Sequence, residues 1–320
     1  MIRRRRFVFG AAATFGIARA ARADQRVTVL VGGQSQSPAD AQARLFLPFL
    51  AEHLSGSDIQ ISNVSGDAGL AAVLALAKAP ANGTVLGWVA TPTLPARIVD
   101  RHAPDLMDSI TLLGAIEREP ISIVATTATQ ISSVEDLIAR AQTNPAAVPF
   151  GTPPPGSPPH LAMLRLQSLA EVALNIVVFP TAAEARQAAV TGHVAAASLG
   201  LTSAIDDLRA GRLTGLGIAA DNQATAFPDM PPLRDSGVDL SAAIQRGLAV
   251  PAGLPDDISH RLISAMKAVA ADTEFHGRAD DRGFVATWVD GDSWAVELND
   301  DRARLARLWA KHPWPLGNEG

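Results

Sequence analysis

The feature that most restricts the fold of this chain is a repeated order of short apolar run, polar turn and helical stretch. Residues 26–31 form a β-branched run that closes on Gly32-Gly33, and a helical pattern over 38–54 follows. The same order returns at 58–64, 66–69 and 70–79, and further apolar runs lie at 85–90, 121–125, 148–151, 175–179, 194–198 and 216–219. Helical patterns at 133–142, 158–169, 182–190 and 203–210 separate the later runs. Strands that alternate with helices predict α/β architecture with mainly parallel sheets flanked by helices, because a parallel strand needs a crossover long enough to hold a helix.

At 320 residues the chain exceeds the roughly 100–200 residues of one domain, so two lobes are expected. Composition breaks at the Pro-rich segment 153–159 and the irregular stretch 221–242. They place one lobe at 24–119 with 235–320 and an inserted lobe at 120–234, with hinge crossings near 115–125 and 220–245. A helix over 255–270 and a charged helix over 293–311 return to complete the first lobe.

The first residues read as an export address. Arg3 to Arg6, then Phe7 and an apolar stretch over 10–18 too short to span a bilayer, resemble a twin-arginine signal, and Ala21-Arg22-Ala23 fits small-x-small cleavage. Cleavage after Ala23 removes six of 27 basic side chains, leaving 21 against 32 acidic ones, a net charge of −11. An acidic mature chain with no later apolar run near the roughly 20 residues of a spanning helix excludes nucleic acid as a partner and membrane insertion as a state. The absence of Cys removes disulfides and thiolate metal sites, and none of the seven His is paired at i, i+4, so no metal or cofactor is expected.

The informative chemistry lies where helices begin. Ser37-Pro38-Ala39-Asp40 combines an N-cap hydroxyl, Pro at the first helical position and an acid in capping-box spacing. Ser157-Pro158-Pro159-His160 repeats the device after a second Gly/Pro loop, with Thr181-Ala182 and Thr91-Pro92 as further loop-to-helix junctions. A helix start leaves unpaired N–H groups and a partial positive charge, so it takes a carboxylate or phosphate without any lysine. Singly, Ser37, Ser157 and Thr181 are also explained as caps alone. There is no G-x-x-x-x-G-K and no G-x-G-x-x-G, and Ser157 lacks the G-x-S-x-G elbow of a serine nucleophile, its hydroxyl being reserved for the cap.

Asn144-Pro145, Phe150-Gly151-Thr152 and Gly156-Ser157-Pro158-Pro159-His160-Leu161 together resemble the periplasmic substrate-binding receptors of tripartite tricarboxylate transporters, the Bug family. Asn63 with Gly66-Asp67-Ala68-Gly69, Phe179-Pro180 and Gly192-His193-Val194 extend the resemblance over essentially all of 24–314. It implies a two-lobed type II periplasmic binding protein closing on a small organic acid. Its ligand contacts then fall on Ser35, Gln36, Ser37, Asp40, Thr152, Ser157 and His160, with Thr181 and Ala182 from the second lobe. Gln34, Gln36, Trp88, Thr91 and Leu199 are the side chains expected to set selectivity. The family's aromatic-Pro-x-Gly-Gly loop is replaced here by the polar Gly32-Gly33-Gln34-Ser35-Gln36-Ser37, and Leu199-Gly200 stands where an Asp-Asn is usual. The expected role is a non-enzymatic receptor that delivers an organic acid to membrane permease subunits. The alternatives are a sensing subunit for a membrane kinase and an exported hydrolase built on Ser157 and His160.

Overall fold

The computed structural model describes residues 25–314 apart from 222, 223 and 225, so the proposed signal segment lies outside the described residues. Along the chain run β1 (Gln25–Gly32), α1 (Pro38–His53), β2 (Ser57–Val64), α2 (Leu70–Ala77), β3 (Val85–Thr91), α3 (Thr93–Asp100) and the long β4 (Ile110–Thr126). Then come α4 (Val134–Thr143), β5 (Pro149–Thr152), α5 (Pro158–Leu169), β6 (Asn175–Val178), α6 (Ala182–Val190), β7 (Ala196–Gly200), α7 (Leu201–Arg209) and β8 (Leu213–Ile218). The chain closes with β9 (Ala243–Pro251), α8 (Asp256–Ala270), α9 (Thr273–Arg282), β10 (Val285–Asp290) and α10 (Gly291–Lys311).

The result is a two-lobed α/β fold with helices on both faces of the sheet in each lobe. β1 lies parallel between β2 and β3, and β5 lies parallel between β6 and β7. These are the two βαβ cores that the alternation predicts. The sheets are nevertheless mixed rather than mainly parallel. β9 runs antiparallel to both β3 and β4, and β4 runs antiparallel to β7, β8 and β10. β4 serves both lobes: its Gly114–Arg118 stretch pairs with β10, and its Ile121–Thr126 stretch pairs with β7 and β8.

Capping explains where the helices start. Ser37 Oγ accepts from Asp40 N at α1, Ser133 from Asp136 N at α4, Thr181 from Glu184 N at α6, and Asp290 from Ser293 N at α10. Each satisfies a donor that the first turn leaves unpaired. Helix α9 stops at Gly283, whose φ of 80° is a left-handed conformation that glycine adopts without a Cβ penalty.

One face of the first lobe packs α1, α8 and α9 around Phe46, Phe275 and Phe284, and Phe46 stacks on Trp88 with centroids 5.3 Å apart. Its other face gathers α2, α3 and α10 around the fully buried Trp294. Phe150, Met163 and Leu166 centre the second lobe. Trp294 Nε1 also donates to Thr91 Oγ1 at 3.0 Å, which ties α10 to β3. Trp294→Ala is therefore expected to lower the unfolding free energy by about 3–5 kcal/mol, read from urea melts, through an unfilled cavity and a lost buried bond.

Candidate functional site

A cleft of about 930 Å³ opens between the lobes. The first lobe lines it with the β1–α1 loop, the Ser65–Leu70 connection and the Trp88–Ala90 stretch, and the second with Pro153, Pro154 and the Pro180–Ala183 turn. Pro38, Leu70, Thr93, Pro158 and Ala182, each the first residue of its helix, all line this one space. Parallel βα units put helix starts at the carboxyl ends of their strands, and two such units face each other here. The cleft is therefore bordered by the positive ends of helix dipoles, a setting that favours an anion.

Close backbone approach and one carboxylate shape the β1–α1 loop. A Cβ on Gly32 would sit 2.6 Å from Gly69 Cα, so the loop after β1 and the turn after β2 pack main chain on main chain. Asp40 is buried behind this loop and accepts from Gln36 N (2.8 Å), Arg44 Nε (2.9 Å) and Asn63 Nδ2 (3.1 Å). Burial opposes its ionisation, but those bonds outweigh burial and hold the carboxyl below its usual range. The acid takes the N–H of Gln36 rather than that of Ser37, and Gln36 sits at a positive φ of 67°.

On the other side, Ser157 occupies the N-cap position of α5 but its hydroxyl makes no capping bond, contrary to the sequence expectation. Ser157 Oγ and Thr152 Oγ1 are enclosed and have no hydrogen-bond partner among the described residues, and the indole N–H of the cleft-lining Trp88 is in the same condition. Buried polar groups are nearly always paired, so these three are left open to a partner that the described residues do not supply. His160 Nδ1 accepts from Gly156 N at 3.3 Å. Burial, aided by the nearby Arg97 charge, pushes its imidazole down to about 4, so it is neutral at ordinary pH. Ser157 and His160 share no hydrogen bond, which leaves the nucleophile and base of a hydrolase unconnected.

An unforeseen tie holds the loop before α5. Arg97 Nη2 donates to Pro155 O at 3.1 Å and pairs with Asp100 Oδ2 at 2.5 Å, and Trp314 Nε1 donates to the same carboxylate at 2.8 Å. A Cβ on Gly156, whose φ is 74°, would overlap the Arg97 guanidinium. Only glycine lets α3 and the second lobe approach so closely.

At the floor, β9 places Arg246 opposite Glu117 of β4. Its Nη1 donates to Glu117 Oε1 (2.8 Å) and Glu119 Oε2 (2.7 Å), and Glu119 Oε1 in turn accepts from Thr202 N (3.0 Å). All three charged side chains are at most 5% exposed. Burial, with a smaller contribution from Glu119, raises the Glu117 carboxyl to about 7, against the pull of Arg246.

The sequence matches the family model described as tripartite tricarboxylate transporter family receptor over residues 43–311. The chain belongs to that receptor family. The protein BugT of Bordetella pertussis is 23% identical, with 92% of this chain and 95% of BugT covered. Among solved structures, R. palustris Rpa4515 with adipate is 24% identical with a TM-score of 0.80, covering 89% of this chain and 96% of that one. MatC from Rhodopseudomonas palustris with bound malate is 24% identical with a TM-score of 0.76, covering 88% and 98%. These likenesses establish the two-lobed fold of the receptor.

Within this receptor the cleft brings together Ser35, Gln36, Ser37, Thr181 and Ala182, along with Gln34 and Trp88. Asp40, Thr152, Ser157 and His160 are not on its lining; Asp40 and His160 stand behind it as hydrogen-bond partners of the two helix-start loops. Thr91 faces a separate cavity between α5 and α10, bonded to Trp294 and Gln245, and Leu199 is sealed in the second lobe. Sequence reasoning missed Arg246, Glu117, Glu119 and Arg97, and the only signal for the first three was a pair of charge-bearing strands. Among the described residues no group of three or more His, Asp or Glu is placed to hold a metal ion, and no helix is long and apolar enough to cross a membrane.

Glu117 binds its proton more tightly in the folded protein than the unfolded value of 4.5, so the folded state holds the extra proton between about 4.5 and 7. The stabilisation linked to this group is present below 4.5 and is lost as pH rises through that window. Denaturant melts of Glu117→Gln against the parent are expected to show this slope in the parent and its removal in the variant.

Proposed function

We propose that this receptor works in the periplasm, after removal of residues 1–23, where it captures a small organic carboxylate between its lobes and presents it to membrane permease subunits. It acts without catalysis or a cofactor. The observation that carries this reading is the convergence of five helix starts on one interlobe cleft, a donor-rich and electropositive setting inside an acidic chain. The solved relatives that hold adipate and malate support the same ligand class.

In this reading the main-chain N–H groups and hydroxyls of Ser35, Gln36 and Ser37 meet the carboxylate from the first lobe. Thr152, Ser157, Thr181 and Ala182 meet it from the second as the lobes close. Asp40 and His160 fix the two loops, and Thr91 fixes β3 against α10. The moving bodies are 24–119 with 235–320 against 120–234, and they turn about β4 and the chain leading into β9. Charge-assisted hydrogen bonds of about 1.5–3 kcal/mol each make a micromolar complex, about 8 kcal/mol, attainable from a handful of such donors.

The test is a thermal-shift screen of mono-, di- and tricarboxylates, aromatic acids and amino acids, each beside its neutral amide. A cognate acid at a hundred times its Kd adds about 2.7 kcal/mol, which raises the melting temperature by about 5–10 °C for a chain of this size. Its amide is expected to give no shift. Equal shifts with acid and amide would contradict the carboxylate reading.

A further inference from the structure

A second cavity, of about 1000 Å³, lies between α5 of the second lobe and α10 of the first. It and the cleft occupy opposite faces of β9. Ala243 and Gln245 line this rear cavity whereas Ile244 and Arg246 line the cleft, as the alternation of side chains along a strand requires. Pro158 borders both spaces, and one turn further along α5 Leu161 clusters with Ala96, Leu305 and Trp314, which ties α5 to α3, α10 and the chain end. Both cavities are bounded by both lobes, with the hinge strands between them. A rotation about those strands that narrows the cleft therefore widens the rear cavity, and the reverse.

The rear cavity is cationic where the chain as a whole is not. Arg118, Arg165, Arg304, Arg307 and Lys311 line it in a chain of net charge −5. Glu297, Asp300 and Asp301 line it as well, but all three sit on earlier turns of α10, and the last turns bring only cations to the lining. The side chains of Arg118, Arg307 and Lys311 have no hydrogen-bond or ion-pair partner among the described residues. Arg304 pairs with Asp301 at 2.6 Å, and Arg165 Nη1 donates to Ser241 O at 3.1 Å, its one hydrogen bond among the described residues. Burial and the Arg304 charge push the Arg165 guanidinium below its usual range, and Asp301 opposes them. Two guanidinium groups thus border one cavity from opposite lobes, close enough that each feels the other's charge. Their repulsion resists narrowing of the rear cavity, and an anion between them would turn that repulsion into attraction.

We propose that the rear cavity is a binding site for a small multivalent oxyanion of the sulfate or phosphate class, held between Arg165 of α5 and Arg304 of α10, and that its occupation opposes closure of the interlobe cleft. The coupling rests on the hinge closure given above, whereas the site itself does not. A guanidinium fork matches two oxygens of one oxyanion, and a tetrahedral anion has further oxygens for a second fork from the opposite wall. By reciprocity, a receptor closed on its ligand holds the anion less tightly than an open one.

The test is calorimetric titration with sulfate at constant ionic strength, chloride being the reference salt, on the parent, on Arg304→Gln and on the pair Arg165→Gln, Arg304→Gln. The Arg304 side chain is 58% exposed, so its single variant is expected to melt with the parent. Saturable sulfate binding is expected in the parent, with affinity about tenfold lower in Arg304→Gln, as the loss of one charge-assisted bond requires, and none detectable in the double variant. No saturable binding to the parent would overturn the site. Equal binding to the parent and to a folded Arg304→Gln would also overturn it, and would put the anion at the helix starts of the cleft instead.

A second arm reads the separation of the lobes. The chain has no cysteine, so Glu52→Cys on α1 and Gln187→Cys on α6, both at exposed positions, carry spin labels for a pulsed dipolar distance measurement. Both helices start at the cleft, so the distance follows its opening. Sulfate is expected to lengthen the mean distance in the parent and to leave it unchanged in the double variant. A parent distance that stays the same or shortens would overturn the coupling. A parent that takes up sulfate but no organic acid in the thermal-shift screen would overturn the carboxylate reading and leave the rear site standing.

Discussion

The two lobes share a strand, and that sharing governs the rest of the molecule. β4 gives its first half to one lobe and its second half to the other, and β9 lies beside it where the change occurs. Arg246, Glu117 and Glu119 sit at this junction and are buried, Arg246 alone of the three also lining the cleft. A buried ion cluster of this kind costs several kcal/mol per charge in desolvation, which its Coulomb attraction only partly offsets, so bulk stability is a poor reason for its presence. Its value lies in position. It ties β4 to β9 where the two lobes meet.

Cleft geometry follows from that junction together with three close approaches. Gly32 against Gly69 sets how far the β1–α1 loop can lean over the cleft, and Asp40 locks its far side through Gln36, Arg44 and Asn63. Across the cleft, Gly156 admits Arg97 and Trp314, so the start of α5 is placed by residues of α3 and the chain end after α10. The start of α1 is thereby held from behind by Asp40, and that of α5 by Arg97, which itself lines the cleft. The lining itself is left free to present N–H groups.

How much of this was legible follows from what each strand does. β1, β2, β3, β5 and β6 are short apolar or alternating runs next to Gly or Pro turns, and the sequence places them within one or two residues. β9 and the first half of β4 escape because Glu117, Arg118, Glu119, Gln245 and Arg246 interrupt their apolar pattern, and those interruptions are the polar floor of the cleft and its surroundings. With those strands unseen, the mixed character of the sheets was unseen too, and the chain read as mainly parallel. The helix-start argument located the rim because Ser-Pro and Thr-Ala junctions are local signals. It misjudged the Ser157 hydroxyl, which caps nothing, and the side chain of Thr91, which turns toward α10, because both outcomes are set by tertiary packing. The tie among Arg97, Asp100 and Trp314 joins residues as far as 214 positions apart, beyond any pattern of spacing.

The central claim is that an acid is held by main-chain donors at facing helix starts. It is tested most directly by a crystal structure of the receptor with the organic acid that raises its melting temperature most. The account predicts carboxylate oxygens within about 3.2 Å of N–H groups at the starts of α1 and α5 or α6. An acid seated instead in the cavity between α5 and α10, or in the interlobe cleft without contact to a helix start, would contradict it.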